Sequence, residues 1–148
     1  MKIRPAIIND REKILEFQLN LAMETENLEL DRKTVLNGIN SVINDSSKGK
    51  YFVAENDKDI IACLMITPEW SDWRCAWMIW LQSVYVVPEY RNKGVFKTLY
   101  NYIKDIVQNN IDYKGIRLYV DNSNKSAAEV YRKVGMCGEH YSVWEWIK

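Results

Sequence analysis

Between Ala76 and Val87 the chain runs through a long stretch rich in Ile, Leu, Val, Trp and Tyr that ends at Pro88, and from Asn92 to Gln108 the apolar period switches to that of a helix. No other feature limits the fold as strongly. A strand that is apolar along nearly its whole length is buried on both faces, and a helix that follows it directly must pack back onto the same sheet. Val95, Leu99, Tyr102 and Ile106 lie on one line of that helix, with Phe96, Ile103 and Val107 beside it. The pair of elements predicts one sheet covered by helices.

The flanking segments fit such a sheet. A short strand is expected at Lys2–Ile8, after which the Asn9-x-x-Glu12 spacing resembles a capping box and opens a helix with Ile14, Phe17, Leu21 and Ala22 as its buried stripe. Asp31 can cap a second helix carrying Val35, Leu36, Ile39, Val42 and Ile43, which gives way to a polar stretch from Asn44 to Gly49. Tyr51–Glu55 and Asp59–Thr67 read as strands joined by an Asn56-Asp57-Lys58 turn, and Pro68 is expected to stop the second. Downstream, Ile116–Val120 reads as a short buried strand. Asn122-Ser123-Asn124 supplies caps for a helix carrying Ala127, Val130, Tyr131 and Val134, and Gly135 ends it. Cys137–Ile147 is expected as one or two closing strands. The order is β-α-α-β-β-β-α-β-α-β, an α/β chain of the mixed α+β kind. With 148 residues and no long linker, it is read as a single domain over residues 1–148.

Several function classes drop out on charge and motif. Twenty basic and twenty acidic residues give no net attraction to nucleic acid or an anionic membrane. The longest uninterrupted apolar run, from Ile60 to Ile66, is far below the ~18–20 residues that span a bilayer. Asn9, Asp10, Arg11 and Glu12 follow the start too closely for a secretory apolar core, which predicts a cytoplasmic protein. Cys63, Cys75 and Cys137 are odd in number and widely spaced, so neither a disulfide framework nor a metal site is expected. The single histidine, His140, has no HExxH or paired-cysteine neighbourhood, and GxSxG, GxGxxG and GxxxxGK[ST] are missing.

The stretch with chemical content is Val84-Tyr85-Val86-Val87-Pro88-Glu89-Tyr90-Arg91-Asn92-Lys93-Gly94-Val95-Phe96-Lys97. A buried strand passes through a basic turn into a helix with a glycine at its start. Amides at a helix N-terminus attract anions, and Gly94 lets a phosphate approach without a Cβ in the way. Arg91, Lys93 and Lys97 add positive charge there. By themselves three such cations are more often a solvated surface.

This stretch resembles the GNAT superfamily of acyl-CoA-dependent N-acetyltransferases. Val86, Pro88, Arg91 and Gly94 match its V-x-P-x-x-[RQ]-x-x-G-x-[GA] signature, and Asn124, Ala127, Tyr131, Gly135 and Met136 match N-x-x-A-x-x-x-Y-x-x-x-G-[FM]. The resemblance implies a central mixed, mostly antiparallel sheet flanked by helices, with acetyl-CoA as acyl donor and no metal. It implies that the amides of Arg91, Asn92, Lys93, Gly94, Val95 and Phe96 hold the CoA pyrophosphate, with Lys97 beside them. The strand end, Val84 to Val87, would pair with the pantetheine arm and polarise the thioester carbonyl. Asn124 and Ala127 would border the arm, and Tyr131 would face the sulfur as general acid. The sequence departs from the signature at its last position, where Phe96 replaces glycine or alanine.

The reaction so implied is attack by a neutral primary amine, expected to belong to a small molecule, on the acetyl thioester. An alkyl amine of pKa near ~10.4 keeps its proton at pH 7, and removing it costs about 4–5 kcal/mol. Many relatives carry a Glu-Asp pair on the central strand for that task; here Gln82-Ser83 stands there, so a remote base is expected among Glu24, Glu26 and Glu29. Trp70, Trp73, Trp77 and Trp80 form an aromatic cluster, and Trp80 is a candidate wall for an ammonium acceptor. Trp77 and Trp80 face opposite sides of a strand, so at most part of the cluster shares one pocket. Two alternatives stay open: an acyl-CoA-binding module without catalysis, and an enzyme acting on a protein amine. A homodimer is compatible with the aromatic content.

Overall fold

Five strands form the sheet of the computed structural model, which describes residues 1–57 and 59–148. In chain order the elements are β1 (Lys2–Pro5), α1 (Arg11–Glu26), α2 (Arg32–Asn44), β2 (Lys50–Asn56), β3 (Asp59–Ser71), β4 (Ala76–Val86), α3 (Val95–Gln108), β5 (Tyr113–Arg117) and α4 (Lys125–Lys133). The strands lie side by side in that same order, antiparallel from β1 to β4, while β5 runs parallel to β4 after the crossover through α3. Lys58, part of the expected β2–β3 turn, lies outside the described residues. Two compact units are present, residues 1–117, which hold the whole sheet, and residues 118–148, which hold α4.

Strand alternation assigns the two sheet faces of the first unit. Val53 pairs with Cys63 and Cys63 with Tyr85, so these residues share a face, and α1 and α2 cover it with Ile14, Leu15, Phe17 and Ile39. Phe52 pairs with Leu64 on the opposite face and meets Tyr102 of α3, with ring centroids 5.7 Å apart. Fully burying one such Ile, Leu or Phe contributes about 1.5–3 kcal/mol, which is what holds the helices on the sheet.

Four local expectations are corrected. The strand expected at Ile116–Val120 is β5 at Tyr113–Arg117, where it pairs with Trp77–Trp80 of β4. The N-terminal hinge does not use an Asn9–Glu12 capping box: Asp10 is the working residue, accepting the Ile7 amide at 2.8 Å and two nitrogens of Arg4 at 2.6 and 3.0 Å. Pro68 does not stop β3, which continues to Ser71. β2 reaches only as far as Ile66, so past that point β3 has β4 as its sole neighbour among the described residues, and a residue without an N–H fits such an edge. Residues 137–148 form no strand. Tyr141, Val143, Trp144, Trp146 and Ile147 are exposed there, because a strand needs a partner whose free ladder groups it can meet and the periodicity of one segment supplies none. Asp31, by contrast, caps α2 as expected, accepting the Thr34 amide at 2.7 Å.

Candidate active site

β4 breaks its regular pairing just before the basic turn. Cys63 faces Tyr85 while Met65 faces Gln82, so Ser83 and Val84 stand against Leu64 alone, and Ser83 takes the left-handed conformation with φ 54°. This is a β-bulge, which bends a strand and re-aims its backbone. The Ser83 carbonyl accepts Gln18 Nε2 of α1 at 3.4 Å and faces Cys63 Sγ at 3.6 Å. Burial pushes the Cys63 thiol up to about 12, so it stays neutral and unreactive beneath the bulge. The β4–β5 pairing runs from Trp77 to Trp80 and goes no further. The backbone of β4 from Gln82 onward therefore has no strand beside it on the β5 side, among the described residues.

Pro88–Tyr90 then forms one 3-10 turn, and Arg91–Gly94 leads into α3. Asn92 at φ 59° and Gly94 at φ 78° are both left-handed, and Gly94 is the N-cap of α3. That conformation is easy for glycine and costs an ordinary residue about 1–2 kcal/mol. A Cβ added at Gly94 would meet no heavy atom within 4 Å, so the space over the turn is open. Val95 is buried and anchors the helix start, while Phe96 lies with its ring 6.0 Å from Tyr100, one turn along α3. Lys93 Nζ stands 5.4 Å from the Tyr90 ring, and Lys97 is exposed.

Arg91 points the other way. Its Nε donates to the Val86 carbonyl at 2.8 Å and its Nη2 to Glu24 Oε2 at 2.7 Å, while the Tyr85 hydroxyl donates to Glu24 Oε1 at 2.9 Å. Val87, next along, donates its amide to the Ile61 carbonyl at 3.0 Å.

The acceptor candidates are spread across the same unit. Gln82 Nε2 donates to Thr67 Oγ1 at 2.6 Å, and Trp80 Nε1 donates to Glu69, which also accepts Arg117 Nη1 at 2.6 Å. Thr67 faces Trp80 across β3 and β4, so Thr67, Glu69, Trp80 and Gln82 share one sheet face, the one that α1 covers further along. Trp70 and Trp77 pair on the opposite face with centroids 5.0 Å apart, and Trp73 is exposed on the 3-10 turn between the strands. Glu26 and Glu29 are exposed at and beyond the end of α1. In the second unit Asn124 caps α4 by accepting the Ala127 amide at 3.0 Å, and Ala127 and Tyr131 follow at the three- and four-residue spacing of one helix face. Burial pushes the Tyr131 phenol above its ordinary value. Gln18, Thr67 and the side-chain role of Tyr85 escaped the sequence; Gln18 left one signal, an amide inside the otherwise apolar stripe of α1.

A family model for GNAT acetyltransferases matches residues 14–136, which includes both signatures and crosses from the first unit into the second. The chain belongs to the GNAT acetyltransferase family. A possible acetyltransferase from Clostridium difficile 630 is 41% identical to this GNAT chain, covering 99% of it and 97% of the other chain with a TM-score of 0.92. Two more distant GNAT-like folds are a predicted acetyltransferase with acetyl-CoA from Clostridium acetobutylicum (17% identity, 99% and 94% covered, TM-score 0.74) and an aminoglycoside acetyltransferase from an uncultured soil metagenomic sample in complex with sisomicin (16%, 99% and 95%, TM-score 0.77). No curated protein matches the chain significantly. The mixed five-stranded sheet flanked by helices is the GNAT fold expected from the signatures.

Proposed function

We propose that this GNAT protein is an acetyl-CoA-dependent N-acetyltransferase acting on the primary amine of a small molecule. The observation that carries the reading is the bulge at Ser83, followed after the strand end and one 3-10 turn by the left-handed turn at Asn92 and Gly94. The residues fit the donor: the space over Gly94 is open and the Phe96 ring lies against Tyr100, so the departure from the family signature leaves the backbone accessible.

Bound acetyl-CoA supplies an acetyl thioester. In this reading the amides from Arg91 to Phe96 bind the diphosphate and Lys93 and Lys97 neutralise it. The β4 edge at Val84 and Val86 orients the pantetheine arm, and preorganised amides there stabilise charge developing at the carbonyl oxygen, while Val87, its own amide engaged with Ile61, bounds that edge. Asn124 and Ala127 border the arm. Tyr131 holds a proton for the departing thiolate, supported by the burial that keeps its phenol neutral. The reading of residues 1–148 as one acetyltransferase domain is supported by a family match that runs from residue 14 to residue 136. Three free cysteines, among them the exposed Cys75 and Cys137, favour a reducing cytoplasm.

The amine must arrive neutral or lose its proton through water. Glu24 is engaged with Arg91 and Tyr85, and the Gln82 amide is engaged with Thr67. Gln82 and Trp80 orient the acceptor in this reading, and Glu26 draws a cation toward the cleft. One observation favours a second reading, a binding module without catalysis: β4 carries no carboxylate at all. A panel of primary amines assayed for CoA thiol release distinguishes the two. Release with a matching acetylated amine supports the enzyme, and tight CoA binding without release for any amine supports the module.

A further inference from the structure

Glu24 closes a set of contacts that ties the end of α1 to the turn after β4. Its two carboxylate oxygens take separate donors, the Tyr85 hydroxyl at 2.9 Å and Arg91 Nη2 at 2.7 Å. The same guanidinium donates to the Val86 carbonyl at 2.8 Å and lies 5.3 Å from the Tyr85 ring centroid. Exposed ion pairs taken singly contribute little. Here a planar guanidinium is held on three sides, by a carboxylate, a backbone carbonyl and a ring, and that geometry fixes its backbone as well as its charge.

Burial first, and then the adjacent Glu24 carboxylate, raise the Tyr85 phenol above its ordinary value, which keeps its hydroxyl a donor, and a guanidinium offers donors only. Immediately after Arg91 comes Asn92, a non-glycine residue at φ 59°, followed by Gly94 at φ 78°. A left-handed residue persists only where its surroundings over-determine it. The Glu24–Arg91–Val86 contacts supply that restraint at the turn's first residue. They also turn the Arg91 charge toward α1, which leaves Lys93 and Lys97 as the cations on the open side.

We propose that Glu24 is a positioning residue: by anchoring Arg91 it fixes the left-handed turn that takes the donor's diphosphate, and it is neither the base nor a contact of the acceptor amine. The proposal rests on the donor assignment made above. Its test compares Glu24→Gln, Glu24→Asp and Arg91→Met with the parent protein in three measurements: amide hydrogen exchange across residues 91–94 without ligand, the Kd of CoA, and the Kd of pantetheine, which lacks the diphosphate.

Glu24→Gln is expected to speed exchange at the turn and to weaken CoA about ten-fold more than pantetheine, the scale of one lost charge-assisted hydrogen bond. With acetyl-CoA as donor the loss falls in KM rather than kcat, and Glu24→Asp recovers part of it. Arg91→Met reproduces the effect and the double variant is no worse than either single one, because the two residues act as a unit. Unchanged exchange, equal losses for CoA and pantetheine, or a lowered kcat with a shifted pH profile would overturn the proposal. A parent protein that binds no CoA contradicts the donor assignment instead, and the exchange measurement still decides whether Glu24 anchors the turn.

Discussion

Tyr131 carries the proton-donating role in this account, and its environment sets the sign of the pH effect. Burial raises the phenol above its ordinary value, so the neutral, donating form prevails throughout the neutral range and is lost only when pH rises past that raised value. The departing thiolate, whose conjugate acid has a pKa near ~8.5, is a weaker base than a phenolate, so it takes the proton late, as the C–S bond breaks. Tyr131→Phe is expected to lower kcat by about 10²- to 10⁴-fold at pH 7 with a small change in KM for acetyl-CoA. Steady-state rates from pH 6 to 10 check this, and equal kcat in both proteins would remove Tyr131 from the chemistry. Gly94 and Asn124 were legible in the sequence because an N-cap is a local task, whereas Arg91 was read as charge at the turn and is instead directed at Glu24. Glu24 was legible only as an acidic residue near the cleft, because its partner Arg91 lies 67 residues away and no local pattern reports that distance.

Elements were legible where one period ran long enough to outvote local exceptions. The apolar run defines β4 to within one residue, and the helical period defines the end of α3, whose start falls three residues later than expected, at Val95 after the Gly94 cap. Boundaries failed where a single residue type was taken at face value. Pro68 looks like a stop, yet an edge tolerates it; Asn9 and Glu12 look like a capping box, yet Asp10 does the joining. That joint leads to a prediction. Burial alone would raise the Asp10 carboxyl, but the Arg4 side chain and the Ile7 amide outweigh it and hold the group below the usual carboxylate range. A depressed native pKa contributes stability that is present above the unfolded value, about 3.9, and is lost as pH falls below it. Asp10→Asn should cost about 2 kcal/mol at pH 7, the scale of hydrogen bonds to a charged group, and should lose less further stability than the parent between pH 5 and 3. Urea unfolding at those pH values checks both; parallel pH dependences would show that Asp10 does not fasten β1 to α1.

At the scale of the whole molecule, the family match over residues 14–136 and the 41% identical relative cover the sheet unit and α4 alike. The sheet was legible in outline because apolar runs and turn signals mark out β1 to β5 along the chain. The closing segment was not legible: residues 137–148 alternate apolar and polar positions, but alternation names a face without naming a partner strand. Trp80 and Gln82 stood out in the sequence, but their partners Glu69 and Thr67 did not, since that face is assembled across β3 and β4 by register. Balanced charge, twenty against twenty, agrees with a donor site confined to one turn rather than spread over a basic surface. Isothermal titration of the purified protein with acetyl-CoA, CoA and ATP tests that site most directly. The account predicts micromolar binding of acetyl-CoA and CoA, with ATP at least about a hundred-fold weaker, a gap of roughly 2.7 kcal/mol. No heat at millimolar acetyl-CoA, or equal affinity for ATP, would contradict it.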